Sequence, residues 1–193
     1  YHEKLDLIYQ GQSENASWMS AIDDAERELQ ASTHSDLTYG EILPEGFLSI
    51  LQCIGAKDGE RFFDLGSGTG KISVLAALHG LNSTGIELAP SRWKTSCRAL
   101  QKMDSLGIRP LPRFIRNSFA NVDFKDANIV FMNSVTFPEE LLEEVAQIAE
   151  CLNPSARIVT AKTLLGPFKV IGSCFAKVSW SPIPFEYAVQ QIQ

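Results

Sequence analysis

The sequence predicts one α/β domain, a doubly wound and mostly parallel sheet of seven strands, with a short helical lobe at its amino end. Three observations predict it. The run Arg61-Phe62-Phe63-Asp64-Leu65 is a short stretch of β-formers that breaks into Gly66-Ser67-Gly68-Thr69-Gly70, after which Ile72, Val74, Leu75 and Leu78 recur at helical spacing. From there to Thr160, short apolar strands alternate with amphipathic helices, the pattern of βα units. The tail then turns strand-rich. At 193 residues with 45% hydrophobic and 21% charged content, the chain suits a single sizeable core. No apolar run approaches the roughly 20 residues of a membrane span, so no membrane role is expected.

Taken in order, Tyr1 to about Gln30 reads as helical, with Ser13 or Asn15 as caps and Trp18, Met19, Ile22 and Ala25 on one stripe. Ala31 to Asp36 is polar and turn-rich, so residues 1–36 form a lobe and linker ahead of a main domain at 37–193. Tyr39-Gly40-Glu41 directly precedes a helix from Pro44 to about Ile54 and forms either a lid or a tight turn packed on the core. Strand two is Ser83 to Glu87. Ala89-Pro90-Ser91 starts the next helix, with proline placed for a helix start. Strand three is Arg113 to Ser118, followed by Phe119. Strand four, Ala127 to Met132, is continuously apolar, as a central parallel strand is, and ends in Asn133-Ser134-Val135-Thr136-Phe137. A helix from Pro138 to about Cys151 leads to strand five, Ala156 to Thr160. Two further strands lie near Cys174–Trp180 and Tyr187–Ile192. The sequence opens without an initiator methionine and is read as a piece of a longer chain.

The glycine turn sits at the carboxyl end of a strand, where open α/β sheets bind ligands. It is neither of two familiar phosphate-cradling loops. Lys71 is followed by Ile72 rather than by Ser or Thr, and the third glycine comes one residue too early for a dinucleotide fingerprint. Glu87 ends strand two, where a carboxylate suits a ribose diol. Asp64, beside the glycines, suits an ammonium group. An ammonium at one end and a ribose at the other describe S-adenosylmethionine, which has no pyrophosphate to cradle.

Together the glycine loop and Glu87 resemble any seven-stranded, class I S-adenosylmethionine-dependent methyltransferase. Four further pieces resemble one family within it, the disruptor-of-telomeric-silencing family of histone lysine methyltransferases that lack a SET domain. They are Tyr39-Gly40-Glu41; Phe63-Asp64-Leu65-Gly66-Ser67-Gly68; Val130-Phe131-Met132-Asn133 with Phe137; and Val178-Ser179-Trp180 followed by Pro184 and Tyr187. They occur in the family's order over roughly Leu37 to the end. The resemblance implies transfer of a methyl group to a protein lysine, in the globular core of a nucleosomal histone. It implies that Tyr39 and Glu41 close over the cofactor, that Asp64, Gly66, Ser67 and Gly68 face its methionine part, that Glu87 holds its ribose and that Phe119 contacts its adenine. Asn133 would sit by the methyl donor, and Phe131, Phe137 and Tyr187 would wall a channel for the lysine. No metal is implied. Ser118 stands where the family usually has an acid, and Val135 where it has an aromatic residue.

Two rival readings remain beside this one. One is a methyltransferase of the same fold acting on a non-histone protein; the other is a non-catalytic cofactor-binding scaffold. The absence of an N-P-P-[YF] sequence argues against methylation of nucleic-acid amino groups. The histone reading implies the nucleus, a non-histone substrate the cytoplasm, and the domain is expected to be a monomer. A formal charge of −6 is not that of a general nucleic-acid binder. The charges are nevertheless segregated: Arg92, Lys94, Arg98, Lys102, Arg109, Arg113 and Arg116 oppose only Asp104, while Glu139, Glu140, Glu143, Glu144 and Glu150 crowd a later helix. The basic stretch is either a solvated face or a DNA-contacting one. Four cysteines without a C-x-x-C pair, Cys53, Cys97, Cys151 and Cys174, argue against zinc and against a disulfide scaffold, and for a reducing compartment.

Overall fold

The computed structural model describes residues 1–10 and 41–193. The expectations for Trp18 and its helix, the linker and Tyr39 lie outside those residues. Seven strands form one sheet: β1 (Arg61–Leu65), β2 (Asn82–Glu87), β3 (Arg113–Arg116), β4 (Ile129–Met132), β5 (Arg157–Thr160), β6 (Phe168–Val178) and β7 (Ser181–Ile192). Their order is β3-β2-β1-β4-β5-β7-β6. The first five strands pair in parallel, β7 runs antiparallel to β5, and β6 runs antiparallel to β7. The described helices are α1 (His2–Tyr9), α2 (Pro44–Cys53), α3 (Lys71–Leu78), α4 (Pro90–Ser105) and α5 (Glu139–Ala149). This is the doubly wound, mostly parallel sheet that the sequence predicts. None of these helices is long and apolar enough to cross a membrane.

Period-two alternation in the central strands builds a core on each face of the sheet. Phe62 of β1, Ile129 and Phe131 of β4 and Val159 of β5 point to the face covered by α1, α2, α3 and α4. Leu65, Val130, Met132 and Ile158 point to the other face, covered by α5. Leu5 and Ile8 of α1 are buried in the first core.

Two expectations change. The final hairpin is longer than the sequence suggests, since β6 starts at Phe168 and β7 at Ser181. Pro182 and Pro184 fall within β7, and β5 pairs with β7 only at Ala188–Gln190. The prolines lie where that edge of β7 is open, and there a missing N–H costs no ladder bond. The second change concerns the cysteines. Cys53, at the end of α2, and Cys174, in β6, form a disulfide across 121 residues of chain. Scatter along the sequence hid this pair because α2 packs on β6 and brings the two thiols together. Cys97 and Cys151 are free.

Candidate active site

The glycine turn is held from below by two buried acids. Asp64 faces α3, where the Ser73 hydroxyl donates to its Oδ2 at 2.8 Å. Burial pushes the Asp64 carboxyl up to about 7; the Glu87 charge adds to the rise and the Ser73 hydrogen bonds oppose it. Glu87 accepts from the Gly68 N–H at 2.8 Å through Oε2 and from the Ala89 N–H at 2.8 Å through Oε1. It therefore ties the loop to the tip of β2. Gly66 takes φ 82°, a conformation that favours glycine, and a Cβ there would press on the Phe137 ring at 3.0 Å.

A second loop faces the first from β4. Asn133 follows that strand, and the buried Tyr187 hydroxyl donates to Asn133 Oδ1 at 2.9 Å. Burial raises the Tyr187 pKa, so the hydroxyl stays protonated and remains a donor. Next along the chain, the Ser134 hydroxyl accepts from the Lys162 N–H at 2.9 Å and meets the Thr160 hydroxyl at 2.6 Å. Lys162 Nζ donates to the Phe137 carbonyl at 2.9 Å. These bonds, all from the end of β5, lock the Asn133–Phe137 turn.

A third segment crosses the opening. Glu41 and Ser179 exchange hydrogen bonds, from the Glu41 N–H to Ser179 Oγ at 3.0 Å and from the Ser179 N–H to the Glu41 carbonyl at 2.9 Å. Ile42 bridges to Val178. From the glycine-loop side, Lys71 Nζ reaches Glu41 Oε2 at 2.9 Å. Tyr9 of α1 donates to the Thr69 carbonyl at 3.1 Å, and its ring lies 5.8 Å from Lys71 Nζ. The segment carrying Glu41 is thus fastened both to the hairpin and to the glycine loop.

Between the three lies a cavity of about 350 Å³, large enough for a cofactor-sized ligand. Of the residues singled out in the sequence, Glu41, Asp64, Gly66, Ser67, Gly68, Phe131, Asn133 and Phe137 line it. Glu87, Phe119 and Tyr187 do not. Phe119 is buried and stacks on Phe137 with centroids 5.9 Å apart. Tyr187 stands behind Asn133 and packs between Phe131 and Phe185 at 5.9 and 5.4 Å. Lys71, Arg92 and Trp180 also line the cavity without having been expected there. Lys71 had a legible signal, since it directly follows the third glycine. So had Ser73, one turn into the helix and able to face back to Asp64. Arg92 and Trp180 are brought in by the sheet and the hairpin, and local spacing carries no sign of that.

The family model described as "Histone methylation protein DOT1" matches residues 19–181 of this chain. The chain belongs to the DOT1 family. Among DOT1 relatives, the histone-lysine N-methyltransferase, H3 lysine-79 specific, of Caenorhabditis elegans is 32% identical over 141 residues, covering 66% of this chain and 15% of that protein. The protein of the same name from Candida albicans is 28% identical over 143 residues, covering 67% of this chain and 11% of its own length. The one from Eremothecium gossypii is 29% identical, covering 67% of this chain and 25% of that protein. This DOT1 chain therefore spans about a quarter or less of those relatives. Solved structures agree on the fold. TrmN from Thermus thermophilus superposes with a TM-score of 0.62 at 18% identity, over 87% of this chain and 53% of that one. Magnesium protoporphyrin IX methyltransferase (ChlM) from Synechocystis PCC 6803, with bound SAM, gives 0.61 at 14% identity, over 100% and 91%. The DOT1 domain here has the class I methyltransferase fold.

Proposed function

We propose that this domain is an S-adenosylmethionine-dependent protein-lysine N-methyltransferase, acting in the nucleus, as a monomer, on a lysine in the globular core of a nucleosomal histone. The observation that carries the reading is the buried Asp64 carboxyl facing a cavity whose far side holds Asn133. A carboxyl raised to about 7 by burial calls for a positive partner, and an ammonium group supplies one. Ser67 Oγ is buried without a hydrogen-bond partner beside it, a second polar atom suited to a ligand. The residues present therefore fit S-adenosylmethionine. Asp64 and Glu41 would hold its ammonium, while Glu87, outside the cavity with its carboxylate on the Gly68 and Ala89 N–H groups, would fix the glycine loop on the ribose side. When bound, the cofactor supplies a methyl group on a sulfonium.

The remaining roles belong to the chain. Phe131, Phe137 and Trp180 give the cavity apolar walls. Such walls disfavour an ammonium, so an entering lysine is held as the neutral amine that displacement requires. Asn133, fixed by Tyr187, orients the reacting groups, and alignment supplies much of the rate in an in-line displacement. The segment at Glu41 and Ile42 keeps water out. The relatives named H3 lysine-79 specific methyltransferases support the choice of a histone substrate.

Histones incubated with the chain and S-adenosylmethionine, then analysed by mass spectrometry, test the reading. A methylated lysine is expected from the wild type and none from Asn133→Ala, with both binding the cofactor by calorimetry. Cofactor binding without methylation of any histone overturns the histone substrate and favours a non-histone protein or a scaffold role.

A further inference from the structure

One residue of α3 ties Asp64 to that helix twice. Ser73 is the third residue of α3 and is wholly buried, and its hydroxyl donates to Asp64 Oδ2 at 2.8 Å. Its backbone N–H donates to the same carboxyl. That N–H is one of the first-turn donors that no helix carbonyl can serve, and Gly70, at the helix start, has no side chain to cap it. The hydroxyl has room because β2 carries glycine opposite: a Cβ at Gly85 would lie 2.5 Å from Ser73 Oγ. Around Asp64, Glu87 of β2 opposes a second negative charge and is itself held by the Gly68 and Ala89 N–H groups. Lys71 of α3 is paired with Glu41 at 2.9 Å, and Arg92 of α4 lies on the cavity wall. β4 sets the apolar Phe131 beside Asp64 in the sheet register. Burial and Glu87 therefore both favour the protonated carboxyl, and the bonds from Ser73 oppose them.

We propose that Ser73 is a positioning residue of this site, holding Asp64 aimed and ionised for the ammonium end of the ligand, an inference that rests on the reading of the cavity given above. A hydroxyl can bond either form of a carboxyl, but the bond to the charged form is about twice as strong, and an N–H can only donate. Ser73 thus favours the carboxylate from both its side chain and its backbone. When the ligand binds, the carboxyl proton leaves to solvent and the Ser73 hydroxyl stays a donor. Without the hydroxyl, Asp64 ionises about one pH unit higher, the difference between a charge-assisted and a neutral hydrogen bond.

The test is calorimetry of the 193-residue chain with S-adenosylhomocysteine, which keeps the ammonium and carries no transferable methyl, beside thermal melts of the ligand-free chain. Ser73→Ala is expected to bind about tenfold more weakly than wild type at about pH 6 and within about twofold of it at about pH 8. Ser73→Cys, close in volume and a weak donor, is expected to follow the same course. A loss of packing alone would weaken binding equally at both. The extra proton on Asp64 stabilises the free domain until the carboxyl ionises, so the fall in melting temperature with rising pH should run about one unit further in both variants than in wild type. An affinity ratio that is the same at both pH values, or melting profiles that coincide, overturns the role of Ser73. The melts need no ligand. Profiles that shift while wild-type affinity ignores pH keep Ser73 as the residue that ionises Asp64 and overturn the ammonium reading of the cavity instead.

Discussion

Asp64 is the residue whose chemistry is most exposed to test. Its carboxyl sits at about 7 in the folded domain against an ordinary 3.8, so the folded state binds the extra proton between those values. Stability of the ligand-free domain should therefore fall as pH rises from about 4 to 7, and Asp64→Asn should flatten that part of the profile in thermal melts. An ammonium ligand requires the ionised form. Affinity for S-adenosylmethionine should rise with pH up to about 7 and then level off, and calorimetry below 7 should register proton release. A pH-independent affinity would remove Asp64 from ammonium binding. Tyr187 makes a different kind of prediction, because it touches Asn133 and not the cavity. Tyr187→Phe should leave cofactor affinity intact and lower kcat on the order of tenfold to a hundredfold, the cost of a misaligned reacting group. An equal loss in the cofactor dissociation constant would mean that the hydroxyl serves packing alone.

At the scale of elements, the final hairpin and α2 behave as one piece. A Cβ on Gly46 of α2 would lie 2.3 Å from the Lys177 carbonyl of β6, the disulfide joins the same two elements, and the Glu41 segment is bonded to Ser179 just beyond β6. Gly46→Ala should destabilise the fold by about 1–3 kcal/mol through overpacking, measurable by urea denaturation. Reducing the disulfide, or replacing Cys53 and Cys174 with serine, should cost about 2–4 kcal/mol, with unchanged midpoints contradicting the staple. Legibility in the sequence divides along the same lines. The glycine turn, Asp64, Asn133 and the parallel strands were readable, because each is a local pattern of strand, turn and helix start. Cys53 with Cys174, Trp180 at the cavity and the depth of the hairpin were not, because each depends on chain segments far apart in sequence. Phe119 shows a third case: its place after strand three was legible, but its packing on Phe137, away from the cavity, was not.

For the whole molecule, one sheet holds a cavity at its carboxyl edge and sets bases on one flank against acids on the other. The segregated charge was visible in the sequence as two runs. Which flank each occupies followed only from the alternation that sends Phe62 to one core and Leu65 to the other. The central claim is that this cavity transfers methyl from S-adenosylmethionine to a lysine of the folded histone core. It is tested most directly by radiolabelled transfer to reconstituted nucleosomes, with the labelled residue mapped by tandem mass spectrometry. The account predicts label on a lysine of the globular histone surface, absent with Asn133→Ala. Label on arginine, on a chain terminus or on DNA, or no label while cofactor is bound, would contradict it.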